Sequence, residues 1–233
     1  MCKLHRRDFL FGLSGLLLSA CGSNEYADSK DYYPVAANSA GTIYHWGKNN
    51  TIKVDTNTGS TANPASYVTP FKAGLALWDD TLSSLGITIE YTNSSPDVKV
   101  KWVAGSEVST GVLGYATTYD GTYRKYIVMT NTNNVTNANH SDDMIKFIAV
   151  HEFGHMLGIW NHSFDSNDIM YPYATGPTAL SNRDKRTLAD FLYQITPTED
   201  MHDRTGPLTN PVTGATTPHI KTYFTTNGCV IQS

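Results

Sequence analysis

A chain of 233 residues is long enough for one good hydrophobic core, and a formal net charge of −4 with 16% charged residues leaves no basic patch on which a nucleic acid would settle. Tyrosine, threonine, asparagine and glycine are plentiful and lysine is scarce, the neutral and hydroxyl-rich make-up of an exported protein. Three cysteines are too few for a disulfide framework.

The first twenty residues have the layout of an export signal. His5-Arg6-Arg7-Asp8 is a charged start. Phe9 to Leu18 is apolar, but shorter than the roughly 20 residues that a spanning helix needs. Arg6-Arg7-Asp8-Phe9-Leu10 resembles the twin-arginine signal, and Leu18-Ser19-Ala20-Cys21 resembles the bacterial lipobox. Residues 1–20 are therefore expected to be removed, with a lipid on Cys21. The plain alternative is an ordinary secretory signal that ends near a cysteine. Gly22 and Ser23 lack the aspartate that retains some lipoproteins at the inner membrane, so the outer membrane or cell surface is the expected location. Cys2 leaves with the signal, and Cys229 then has no disulfide partner. Residues 21–40 are small and polar, without periodicity, and read as a flexible tether.

Folding signals begin at Thr42 to Trp46, a short strand candidate, and Asn49 to Val54 continues it or pairs with it. From Tyr67 to Leu85, Phe71, Leu75, Trp78 and Leu82 recur at helical spacing, which predicts one amphipathic helix ended by Gly86. Ile87 to Tyr91 and Val98 to Trp102 alternate as strands. This order predicts a sheet with a helix laid across it. Gly111 to Ala116 is a further strand, whose two glycines predict close approach by another backbone. Tyr119 to Thr122 reads as a turn and Tyr126 to Met129 as a strand. The Asn- and Thr-rich stretch from Asn131 to Asn139 is a loop. His140 follows it, and a lone loop histidine is more often solvated than a second metal ligand. Ser141-Asp142-Asp143 caps the next helix.

That helix carries His151-Glu152-Phe153-Gly154-His155, an H-E-x-x-H motif. Residues i and i+4 share a helix face, so His151 and His155 can grip one metal, with Glu152 beside its water. Two imidazoles do not complete a zinc site. Gly158 allows a sharp turn, after which His162 can swing back as the third ligand. A bare motif of this kind also arises by chance on buried helices with two core histidines. Asp168 to Tyr173 follows, and Pro172 forces extended geometry before itself. A last helix begins at Leu180, with Ser181 as cap and Asp184 at the third position, and Pro197 ends it. The tail holds two further strand candidates, Lys221 to Phe224 and Val230-Ile231. His219 within it reads as a surface residue.

The metal motif, the glycine, the later histidine and Met170-Tyr171-Pro172 together resemble the metzincins, and among them the matrixins. The resemblance spans Ile43 to Ile195. It implies an α+β fold: a mixed, mostly parallel twisted sheet with a backing helix, an active-site helix and a C-terminal helix after a Met-turn. It divides the chain into a catalytic domain over 41–195 and an extension over 196–233 packed on it. It implies a zinc endopeptidase acting through a Glu-activated, zinc-bound water. His151, His155 and His162 would be the ligands, Glu152 the general base and Met170 the floor of the turn. Val112, Leu113, Gly114 and Tyr115 would form an edge strand that aligns the polypeptide substrate, with Tyr171, Pro172 and Tyr173 as the pocket wall. Tyr171 is not placed to be a fifth ligand. The usual spacing puts the third ligand at Asn161, one residue before His162. Imidazole is the better zinc ligand, which favours His162, while the alternative keeps Asn161 in place. The family's set of structural-zinc histidines is not matched, and calcium at Asp120 or the Asn-rich loop has no regular spacing behind it. The expected protein is a monomer, held to a membrane by its lipid. The rival readings are a catalytically inactive peptide-binding lipoprotein and a zinc amidase acting on cell-wall peptides.

Overall fold

Alternating apolar residues build a sheet whose inner face is buried. Ile52 and Val54, then Val98, Val100 and Trp102, then Ile127 and Met129 have almost no exposed surface. The computed structural model describes residues 35–36, 43–58, 65–119, 124–133, 136, 138–174 and 178–197, with four two-residue strands beyond them. The export signal with Cys21, the tether apart from 35–36, Asp120, His219 and the strand expected at Lys221 to Phe224 lie outside the described residues.

The strands are β1 (Tyr44–His45), β2 (Thr51–Thr58), β3 (Thr88–Tyr91), β4 (Val98–Val103), β5 (Val112–Tyr119) and β6 (Arg124–Thr130). Four short ones follow: β7 (Glu199–Asp200), β8 (Leu208–Thr209), β9 (Thr216–Thr217) and β10 (Cys229–Val230). The main sheet runs β10-β5-β6-β4-β2-β3. The pairs β2–β3, β2–β4 and β4–β6 are parallel, and β5 runs antiparallel to β6. The sheet is thus mixed and mostly parallel, within an α+β architecture. One expectation needs correction: β5 is not an edge strand. Antiparallel β10 lies outside it, with Cys229 opposite Gly114 and Val230 opposite Val112. Only the start of β5, at Val112 and Gly114, is covered in this way.

The helices are α1 (Val68–Leu75), α2 (Asp79–Ser84), α3 (Asp142–Met156) and α4 (Asn182–Arg186). The backing helix is not the single unit expected over Tyr67 to Leu85. A tighter 3₁₀ turn at Ala76–Trp78 separates α1 from α2. Trp78 is fully buried there, and its indole N–H donates to Val150 O of α3 at 3.0 Å. The last helix starts at Asn182 rather than Leu180, because Ser181 is its extended cap. It continues as a π-turn over Thr187–Phe191 and a 3₁₀ turn over Leu192–Gln194.

Helix α3 positions the site. Ser141 Oγ accepts the Met144 N–H at 3.2 Å, and Asp142 and Asp143 complement the positive helix end. From Phe147 to Met156 every residue is buried, as expected of a helix enclosed on all sides. Its terminal carbonyls, which an α-helix cannot satisfy itself, receive Trp46 Nε1–H at Met156 O, 2.6 Å, and the Tyr193 hydroxyl at Leu157 O, 3.0 Å.

Candidate metal centre and cleft

His151 and His155 lie one turn apart on α3 and are fully buried. A buried imidazole needs partners for both ring nitrogens. One nitrogen of each has a backbone partner: His151 Nδ1 donates to Ile169 O at 2.7 Å, and His155 Nδ1 donates to Ile159 O at 2.6 Å. These bonds fix the tautomer and leave Nε2 as a lone pair. The Nε2 atoms of His151, His155 and His162 are all buried without a hydrogen-bond partner. The three ligand nitrogens lie within 4.8 Å of one another. The ring centroids are 5.0 to 5.1 Å apart. Three converging, orphaned lone pairs fit zinc, whose catalytic sites use three protein ligands and an open position.

Electrostatics favour the same state. Burial, with a smaller contribution from nearby His162, pushes His151 down to about 3, against the pull of the Ile169 carbonyl. Burial drives His155 well below the usual imidazole range, and His162 down to about 4. All three are neutral at neutral pH, as metal ligands must be.

The turn after α3 delivers the third histidine. Gly158 has φ +111°, and a Cβ there would collide with Tyr44 O, so both the bend and the close approach require glycine. Asn161 donates its backbone N–H to Val35 O at 2.9 Å, and His162 is the residue whose imidazole reaches the group. Ser163 N–H donates to Met170 O at 2.7 Å, and its hydroxyl donates to Asp168. Asp168 also accepts from Ser181 Oγ at 2.6 Å and pairs with Arg183 Nε at 3.1 Å. The loop behind His162 is therefore tied to α4.

Met170 is buried, and a Cβ at Gly154 would run into its sulfur. Glycine between the two helix histidines is what lets the turn seat under them. Asp184 anchors that turn. One carboxylate oxygen accepts the Ile169 N–H at 2.9 Å and the Ser181 N–H at 2.9 Å, and the other accepts the Met170 N–H at 3.3 Å. Burial raises the Asp184 carboxyl, partly offset by these donors. Sequence reasoning saw the capping box, which is present, but missed that the same carboxylate holds in place the residue whose carbonyl accepts from His151. The one signal was an acidic capping residue shortly after the turn.

Glu152 is fully buried beside the triad. A Cβ on Gly114 would lie 3.3 Å from Glu152 Cγ and 2.7 Å from Ile148 Cγ2, so β5 abuts the helix there. The close approach at Gly114 is thus by helix side chains and also by backbone, since the same Cβ would lie 3.0 Å from Val128 O. At Gly111 a Cβ would meet nothing within 4 Å, and the glycine instead serves a turn at φ +87°. Val112 and Tyr115 are half-buried, and Leu113 is fully buried in the core, so only its backbone can face a ligand. Tyr171 and Pro172 are half-buried and Tyr173 is exposed, with the two tyrosine rings 5.5 Å apart. His140 is not the solvated residue expected from its loop position. It is buried, and its Nε2 bonds Thr130 Oγ1 at 2.9 Å.

Comparison with known proteins bears on this geometry. The family model described as matrixin matches residues 45–193. Karilysin of Tannerella forsythia is 30% identical over 178 residues, which is 67% of this chain and 37% of karilysin. The chain therefore spans well under half the length of that relative.

Proposed function

This chain belongs to the matrixin family of metalloproteases, and we propose that it is a zinc-dependent endopeptidase that cleaves internal bonds of polypeptides. One observation carries the reading: three buried Nε2 lone pairs converge beside a buried glutamate, with the opposite nitrogens of His151 and His155 locked by carbonyls. Zinc held by His151, His155 and His162 would supply a Lewis acid and lower the pKa of a bound water. Glu152 would accept the proton of the attacking water on its carboxylate and return it to the leaving amine. The backbone of Val112 to Tyr115 would align an extended peptide by strand addition, and Tyr171, Pro172 and Tyr173 would wall one side of the cleft. On the same reading the mature chain starts at a lipidated Cys21, is exported to the outer membrane or cell surface, and acts as a monomer.

Zinc-loaded chain should cleave casein and leave peptidoglycan intact. Glu152→Gln should keep its zinc and lose about 10²–10⁴ in rate, since the amide cannot take the proton. Equal rates in both proteins would remove Glu152 from the chemistry. Release of peptidoglycan fragments without casein cleavage would favour the amidase reading.

A further inference from the structure

We propose that β10 is an intramolecular occupant of the peptide-binding edge, so that the chain is closed to substrate while Cys229–Val230 lies on β5. The inference rests on the reading above that β5 aligns the substrate. On one side β5 pairs with β6, with Gly114 opposite Met129. On the other it pairs antiparallel with β10, with Cys229 opposite Gly114 and Val230 opposite Val112. At Gly114 β5 lies close against the catalytic helix, near Ile148 and Glu152. Adjacent strands lie about 4.8 Å apart, so the backbone at Cys229 runs one strand spacing from the point where β5 meets Glu152.

A peptide arriving as an added strand needs the same outward N–H and C=O groups of β5. Those groups serve one neighbour at a time, so occupancy by β10 and by substrate are mutually exclusive. Burial agrees with closure. Glu152, His151 and His155 have no exposed surface in the folded chain, yet a general base must meet water and a substrate carbonyl. β10 is built to leave: it is two residues long, and its register shifts between Cys229 and Val230. Few ladder bonds make it a weak ligand. Tethering compensates, because a linked segment acts at an effective concentration of about millimolar. If it closes roughly nine chains in ten, apparent substrate affinity falls about tenfold.

The test compares the intact chain, a chain ending at Thr225, and Val230→Pro, whose missing N–H weakens the pairing at full length. Hydrogen exchange of the Gly114 amide, opposite Cys229, is read first, and needs no activity. This amide should be slow in the intact chain and fast in both variants, with the α3 amides unchanged. Hydrolysis of a quenched peptide by the zinc-loaded forms should rise about tenfold in kcat/KM in both variants, mostly through KM. A synthetic peptide of residues 226–233 carrying Cys229→Ser, which removes thiol chelation, should compete with substrate on the truncated chain. Equal exchange in all three proteins overturns the proposal whether or not any of them is active. Altered exchange with equal hydrolysis and no competition by the peptide also overturns it. Absence of hydrolysis in every form, with altered exchange, would instead count against the endopeptidase reading.

Discussion

Replacing Asp184 by alanine tests whether this carboxylate carries the turn beneath the metal site. It is 2% exposed and accepts three backbone N–H groups, from Ile169, Met170 and Ser181. Hydrogen bonds to a charged group contribute about 1.5–3 kcal/mol each. The three share one carboxylate, and removing it also relieves the burial that raises its pKa. The net loss for breaking such a buried arrangement is then about 3–5 kcal/mol, a large part of the roughly 5–15 kcal/mol that holds a domain together. Urea unfolding of zinc-free chain should show a lower midpoint with an unchanged slope. Zinc affinity should fall about 10–100-fold, because Ile169 O orients His151. Asp184→Asn should fall between, since its oxygen still accepts while its NH₂ faces a donor. A loss below about 1 kcal/mol in the alanine variant, with zinc affinity intact, would refute the reasoning.

Other perturbations separate the remaining assignments. His162→Ala should lose most bound zinc and nearly all activity, whereas Asn161→Ala should keep stoichiometric zinc; metal content after dialysis against a weak chelator decides, and the opposite pattern would move the third ligand to Asn161. In zinc-free chain, His151 and His162 titrate near 3 and 4, below the ordinary 6.5. The unfolded state therefore binds more protons between those values, so stability is complete above about pH 6.5 and is lost as pH falls toward about 4. A melting temperature as high at about pH 5 as at about pH 7.5 would contradict this. Cys21→Ser should release the protein from the membrane fraction or block its processing, and unchanged fractionation and mass would end the lipoprotein reading.

Short-range chemistry made part of this molecule readable from its sequence. Ser141 and Ser181 were visible as caps because capping is a contact over three residues. β3 and β4 were visible because each alternates on its own, and helix α3 because its cap and its motif are local. What stayed hidden is tertiary. Gly154 looks like any helix glycine until Met170 is known to lie against it. Asp184 looks like a cap until Ile169 and Met170 turn toward it. Nothing in Cys229–Val230 announces a place beside Gly114, because pairing across such a separation leaves no periodic mark. The break at Ala76–Trp78 was hidden for a related reason: the apolar spacing of Phe71, Leu75 and Trp78 is the same in a continuous helix.

The two ring-nitrogen contacts differ in reach. His155 is steadied by a carbonyl four residues on, His151 by one eighteen residues on, and the Asp184 clamp closes the same stretch of chain. The hydrogen bonds that orient the two helix histidines thus close between residues 151 and 184, whereas β5, which abuts Glu152 through Gly114, belongs to a distant part of the chain. On the proposed reading of β5, the contacts that orient the ligands and those that would receive a peptide therefore come from different stretches of the chain. Mild heating or exchange of β5 for a different strand should yield a species that still carries its ion but no longer grips a polypeptide, so metal content alone is a poor measure of competent enzyme.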